Sequence, residues 1–277
     1  MGGDFKMNLC MRYFFCYIIM FFILNKNFAQ SDSVISNNYN VEYLNYLKPN
    51  YTLTNFEILN TGLPCVPIYN GIYTAGAGWL MEPTGKYLIS AICKTTTDNS
   101  VYTIQSTKDS MFLLRKYPKI EKKDPLKLID IPYGYYNLVS IGTDSIFFWG
   151  MRNNLWYISF FNNNKIKDLL SQKEPITNLI PLSKNTFVYS TTKEIILIQP
   201  DTLPLRILKS EVPIESFVFG NNGFIYLSLS NGIFKMGKEK SMEPVCLGVH
   251  GLLKSYRDFI FVLWQEKNCV VVLKEKE

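Results

Sequence analysis

The chain has 277 residues, of which 47% are hydrophobic, 15% aromatic and 19% charged, with a formal net charge of +6. So low a charged fraction beside so many apolar side chains excludes a disordered or coiled-coil chain, and the length suffices for one sizeable core. The basic excess is mild and unclustered, which argues against nucleic acid as a partner: residues 1–30 hold +2 of it, and Lys119, Lys122 and Lys123 are interrupted by Glu121 and Asp124.

Lys6 and Arg12 precede an apolar run from Tyr13 to Leu24, followed by Asn25, Lys26 and Asn27 and then Phe28-Ala29-Gln30. A basic start, a short apolar core and a small residue before a polar stretch predict a secretory signal peptide over residues 1–29. The run is shorter than the roughly 20 residues a spanning helix needs. Cys10 and Cys16 lie before and inside the run, not after it where a lipid-modified cysteine would sit. The expected mature protein is therefore secreted or periplasmic, with neither a lipid nor a transmembrane anchor. Export leaves Cys65, Cys93, Cys246 and Cys269, in no C-x-x-C spacing. Three full pairings are open to them, and unpaired burial is the expectation.

Residues 30–50 are polar and read as a linker, with one helical turn near Tyr43-Leu44-Tyr46-Leu47. From Tyr51 to Glu277 the chain reads as a single domain of short apolar runs bounded by Asn, Asp, Gly and Pro, the pattern of many strands. In the second half the pattern repeats. Turn-and-strand pairs begin at Asp144, Asn185, Asn222 and Arg257, and each has apolar neighbours before it; all but the last also have them after. Four strands every 35–45 residues describe a propeller blade. One further copy spans Trp79–Arg115, with Trp79-Leu80-Met81 as its inner strand. The fold predicted is an all-β, five-bladed β-propeller, with six blades as the alternative if another hides within residues 105–135. Residues 52–59 are expected to supply the missing outer strand of the last blade and so close the ring.

Two segments carry a resemblance. Glu82-Pro83-Thr84-Gly85-Lys86-Tyr87-Leu88-Ile89-Ser90 resembles the turn and strand of lactonase-type and Tol-system propellers, with Thr84 where those families have Asp. Asn222-Gly223-Phe224-Ile225-Tyr226 and Asn231-Gly232-Ile233-Phe234-Lys235 resemble the repeats of two-component sensor propellers. The resemblance implies a propeller superfamily and no single family.

No catalytic constellation emerges. His250 is the lone histidine, between Gly248 and Gly251, and reads as a loop residue; no G-x-S-x-G elbow and no H-E-x-x-H occur. Asp98, Asp144, Asn185, Asn222 and Asp258 recur at blade turns, where their side chains suit tight-turn backbone better than a metal. No cofactor and no metal are expected. The binding candidates are Tyr69, Tyr73 and Trp79, placed at one mouth of the channel beside the small-residue segment Thr74–Gly78. The function expected is an exported, non-catalytic binding or scaffolding propeller for a protein of the envelope or extracellular space. The alternatives are a metal-dependent lactonase-like hydrolase at the channel mouth and a propeller sensing a small molecule such as a glycan.

Overall fold

The computed structural model describes residues 36, 38–45, 53–68, 71–74, 78–81, 88–95, 100–116, 126–142, 145–237, 239 and 241–276. The expected signal peptide lies outside them. The described residues belong to a unit spanning Val34–Glu277.

The strands form six antiparallel four-stranded sheets. Blade 1 holds β2 (Glu57–Ile58), β3 (Pro64–Ile68), β4 (Gly71–Thr74) and β5 (Gly78–Met81); blade 2 holds β6 (Leu88–Lys94), β7 (Val101–Ser106), β8 (Met111–Lys116) and β9 (Leu126–Ile131). Blade 3 holds β10 (Tyr135–Ser140), β11 (Ser145–Arg152), β12 (Leu155–Asn162) and β13 (Lys165–Gln172); blade 4 holds β14 (Ile176–Pro181), β15 (Phe187–Thr191), β16 (Glu194–Ile198) and β17 (Leu205–Lys209). Blade 5 holds β18 (Ile214–Phe219), β19 (Ile225–Leu229), β20 (Gly232–Met236) and β21 (Met242–Leu247). Blade 6 takes β22 (Leu252–Tyr256), β23 (Phe259–Trp264) and β24 (Cys269–Glu275) from the C-terminus and β1 (Tyr39–Asn45) from the N-terminus. The inner strands β2, β6, β10, β14, β18 and β22 each pack on the next, and β22 packs on β2, so the ring is closed.

The all-β propeller holds; the count of five blades does not. The sixth blade is residues 57–81, not a segment within 105–135. Trp79-Leu80-Met81 is the outer strand of this blade, not the inner strand of the next. Pro64 and Pro67 hid it, because proline cannot donate to a ladder, yet β3 pairs with β2 and β4 on both sides. The closing strand is also corrected. It is β1, from the segment read as a linker, and not residues 52–59. All seven of its residues pair with β24, from Tyr39↔Glu275 to Asn45↔Cys269. An outer strand buries little of itself, and so its apolar alternation is faint: Tyr39 is buried, Val41 half-buried and Tyr43 exposed.

The core lies between blades, where neighbouring sheets press apolar faces together. Phe147 and Trp149 of blade 3 pack with Leu179, Phe187 and Tyr189 of blade 4, and Phe217 and Leu227 of blade 5 with Val188 and Ile195 of blade 4. Nearer the axis the contacts are polar. Asn178 Nδ2 donates to Ser216 Oγ at 3.0 Å and to the Phe217 carbonyl at 2.7 Å. Ser216 Oγ accepts the Leu253 N–H at 3.0 Å, and Ser140 Oγ donates to the Lys94 carbonyl. Lys254 Nζ of blade 6 lies 3.1 Å from Glu57 Oε2 of blade 1, whose side chain is 6% exposed. Cys65, Cys93, Cys246 and Cys269 are free and buried. Burial pushes the Cys246 and Cys269 thiols up to about 11 and those of Cys65 and Cys93 higher still, which keeps them unreactive.

The Glu57–Lys254 pair crosses the seam where the last blade meets the first. Truncating one partner strands the other charge in a dry setting, at a cost of about 3 kcal/mol. Urea titration of Glu57→Ala, Lys254→Met and Glu57→Leu/Lys254→Met is expected to show each single variant destabilised by that order and the double variant largely restored.

Candidate functional site

Every outer strand passes to the next inner strand at one end of the ring, the crossover end, where the turn between the second and third strands of each blade also lies. Turns between strands one and two, and between three and four, lie at the far end.

The expected residues Tyr73 and Trp79 sit on β4 and β5, the third and outer strands of blade 1, not on the strand that lines the axis. They are register partners, packed edge to face with centroids 5.4 Å apart, against the cluster of Leu53, Phe56 and Ile58. Tyr69 lies outside the described residues.

His250 lies in the connection between blades 5 and 6. Its Nδ1 is 2.9 and 3.1 Å from the two carboxylate oxygens of Glu215 on β18. A carboxylate only accepts, so Nδ1 carries the proton and donates. Nε2 is 3.6 Å from Glu266 Oε1, in the turn between β23 and β24. Ser228 Oγ donates to Glu215 at 3.4 Å and accepts the Gly251 N–H at 2.7 Å. This network ties blade 5 to blade 6. Among the described residues no group of three or more His, Cys, Asp or Glu gathers in a geometry fit to hold a metal ion.

A repeated irregularity points to a different site. In blades 2 to 5 the pairing of the inner strand with the second strand slips by one residue near the crossover end, at Ser90, Tyr136, Thr177 and Glu215. A bulge leaves its extra residue unpaired and re-aims its side chain. Ser90 Oγ donates to the Ile104 carbonyl, Thr177 Oγ1 bonds to Ser190 Oγ at 2.7 Å, and Glu215 takes the Ser228 and His250 bonds. Each of these three folds back onto its surroundings. Tyr136 instead stands 48% exposed.

Tyr136 belongs to a cleft of about 650 Å³ lined by Pro132, Tyr133, Gly134, Tyr136, Met151, Arg152, Asn153 and Tyr157. The β9–β10 connection forms one wall and the end of the β11–β12 hairpin the other. Two glycines let the walls meet: a methyl group on Gly134 would strike the Met151 carbonyl, and one on Gly150 the Gly134 carbonyl. Asn153 and Asn154 hold φ of 49° and 64°, the left-handed pair that a two-residue hairpin turn requires. Tyr133 is 48% and Met151 43% exposed, and Tyr133 Oη donates to the Thr107 carbonyl of blade 2 at 3.2 Å.

Arg152 is fixed in the cleft. Its guanidinium stacks over Tyr157 at 4.1 Å and lies 5.3 Å from the Tyr135 ring. It donates to Asp168 Oδ2 at 2.6 Å, while Asp168 Oδ1 accepts from Ser159 Oγ at 2.6 Å. Tyr135 Oη and Ser159 Oγ share a further bond of 2.5 Å. Partial burial works against the Asp168 carboxylate, but the bonds from Ser159 and Arg152 outweigh it and hold its pKa below the ordinary range. The result is an open surface of three tyrosines and a methionine around one oriented guanidinium. Sequence reasoning missed it, because Tyr133-Gly134-Tyr135-Tyr136 and Arg152-Asn153-Asn154 lie apart in the chain and only the fold brings them together.

No protein-family model matches the chain, and no curated protein matches it in sequence. Solved structures do. Virginiamycin B lyase from Staphylococcus aureus aligns over 86% of this chain and 100% of its own, with TM-score 0.59 and 9% identity. A gluconolactonase from Xanthomonas campestris aligns over 82% and 86%, with TM-score 0.61 and 9% identity. The extracellular domain of a protein described as a one component system from B. thetaiotaomicron aligns over 88% of this chain and 40% of its own, with TM-score 0.53 and 11% identity. At these identities the likeness establishes the fold, a β-propeller, and nothing finer.

A depressed carboxylate contributes stability above its unfolded pKa of about 3.9 and loses it as pH falls through the folded value. Thermal melts of the protein and of Asp168→Asn between pH 7 and pH 3 are therefore expected to differ by a constant amount above about pH 5 and to converge in acid.

Proposed function

We propose that this protein is an exported propeller that binds another protein of the envelope or extracellular space, and that the cleft between blades 2 and 3 is where it does so. The observation that carries this reading is the exposed Tyr136, set where the equivalent residues of three other blades are tied down. Tyrosine, methionine and arginine are the side chains enriched at the cores of protein interfaces, and lysine and glutamate are depleted there. The lining of the cleft has that composition. Arg152 is already held by Asp168 and two aromatic rings, so little side-chain freedom is lost when a partner contacts it. Export is supported by the basic start, apolar run and Ala29 of the N-terminal segment, and by the extracellular domain among the structural neighbours.

The test is photocrosslinking in the native host. A benzophenone amino acid at position 136 is expected to yield an adduct of one defined mass in the envelope or medium fraction. The same group at Lys193, an exposed turn at the same end of blade 4, is expected to yield none. Arg152→Ala is expected to weaken the adduct about tenfold, as loss of an interface arginine does. Adducts of equal strength at both positions, or none at either, would refute the reading.

A further inference from the structure

The far end of blade 4 is the opposite of the cleft in character. Leu203 is 89% exposed, Leu205 58% and Leu182 52%. Leu182 begins the turn between β14 and β15, and Leu203 sits in the connection between β16 and β17. Register places these at one end of the sheet, because Phe187 pairs with both Pro181 and Ile198, and Leu205 with Leu197. Pro181, Pro200 and Pro204 flank the leucines and restrict the turns, and Thr202 Oγ1 closes the second turn on the Gln199 carbonyl at 3.3 Å. Leu182 and Leu203 are therefore held exposed on restricted turns, and Leu205 opens the outer strand beside them.

The charges around them say what covers them. Exposed Lys165 and Lys167, in the first half of β13, the outer strand of blade 3, and Lys184 in the first turn stand against two carboxylates, Asp201 and the Asp168 that Arg152 already holds. Arg206 is matched by Glu194 at 2.8 Å. The rim is thus cationic.

We propose that the far end of blade 4 is a membrane-docking surface, with Leu182, Leu203 and Leu205 entering the interface of an anionic bilayer and Lys165, Lys167 and Lys184 meeting its headgroups. Apolar tips ringed by lysine have the two-part character of peripheral membrane binders, in which area and charge act together. Docked this way, the propeller turns its crossover end, with the Tyr136 cleft, away from the lipid. The inference does not depend on what the cleft binds.

The test is hydrogen exchange by mass spectrometry on the full chain, with and without phosphatidylcholine vesicles carrying about one-third phosphatidylglycerol. Exchange in the turns 182–186 and 199–205 is expected to slow by about tenfold or more with vesicles, while 153–154 and 192–193 are unchanged. Leu182→Asp/Leu203→Asp is expected to abolish that protection and keep the native circular dichroism spectrum. A chain that fails to bind vesicles overturns the proposal. So does one that binds through its N-terminal run alone and leaves both turns unprotected. Protection that appears without vesicles and grows with protein concentration overturns it too, in favour of a second copy of the chain.

Discussion

The pairing of β1 with β24 is the constraint on which the rest depends. A four-stranded blade is apolar on both faces and can bury them only between two neighbours, so six blades are stable only if the sixth also meets the first. The seven-residue ladder makes the last blade whole with a strand from the other end of the chain. Its surroundings reinforce it. Lys276 N–H donates to the Asn38 carbonyl, Leu53 N–H to Asn268 Oδ1, and Lys235 of blade 5 reaches Glu275 at 3.3 Å. Tyr39 Oη meets Tyr226 Oη at 3.2 Å, and burial pushes the Tyr39 phenol well above its ordinary range, so it stays neutral. Glu57 and Lys254 complete the seam on the axial side.

Closure also gives the molecule two unlike ends. Because every blade runs in the same sense, all crossovers share one end and the leucine-bearing turns lie at the other. The crossover end holds the bulged inner-strand residues, the His250–Glu215 link and the tyrosine cleft. Its features come from connections between blades, where the sequence departs most from the repeat. The far end is built from the turns within blades, between strands one and two and between three and four. Asn163-Asn164 and Arg257-Asp258 make two of its turns polar, whereas those of blade 4 carry exposed leucines.

Blades 3 to 6 were legible because their second and third strands are strong apolar runs bounded by Asn, Asp or Gly. Blade 1 was not: its inner strand has two residues and its second contains two prolines. The error displaced Trp79 by one blade and carried the candidate site with it. β1 was hidden because Tyr39-Asn40-Val41-Glu42-Tyr43 alternates weakly and sits in a polar segment, so only its partner strand reveals it. The cleft was illegible for a different reason. Tyr136 is distinguished only by comparison with Ser90, Thr177 and Glu215, and their equivalence rests on a register slip that no residue type announces.

The most direct measurement of the central claim is amide exchange along β1 and β24 under native conditions. If β1 closes the ring, the amides of Asn40, Glu42, Val270 and Val272, whose N–H groups point across the ladder, open only with global unfolding and share one protection factor. A β1 that exchanges orders of magnitude faster than β24 would mean that the strand is an appended tail, and that the ring holds together without it.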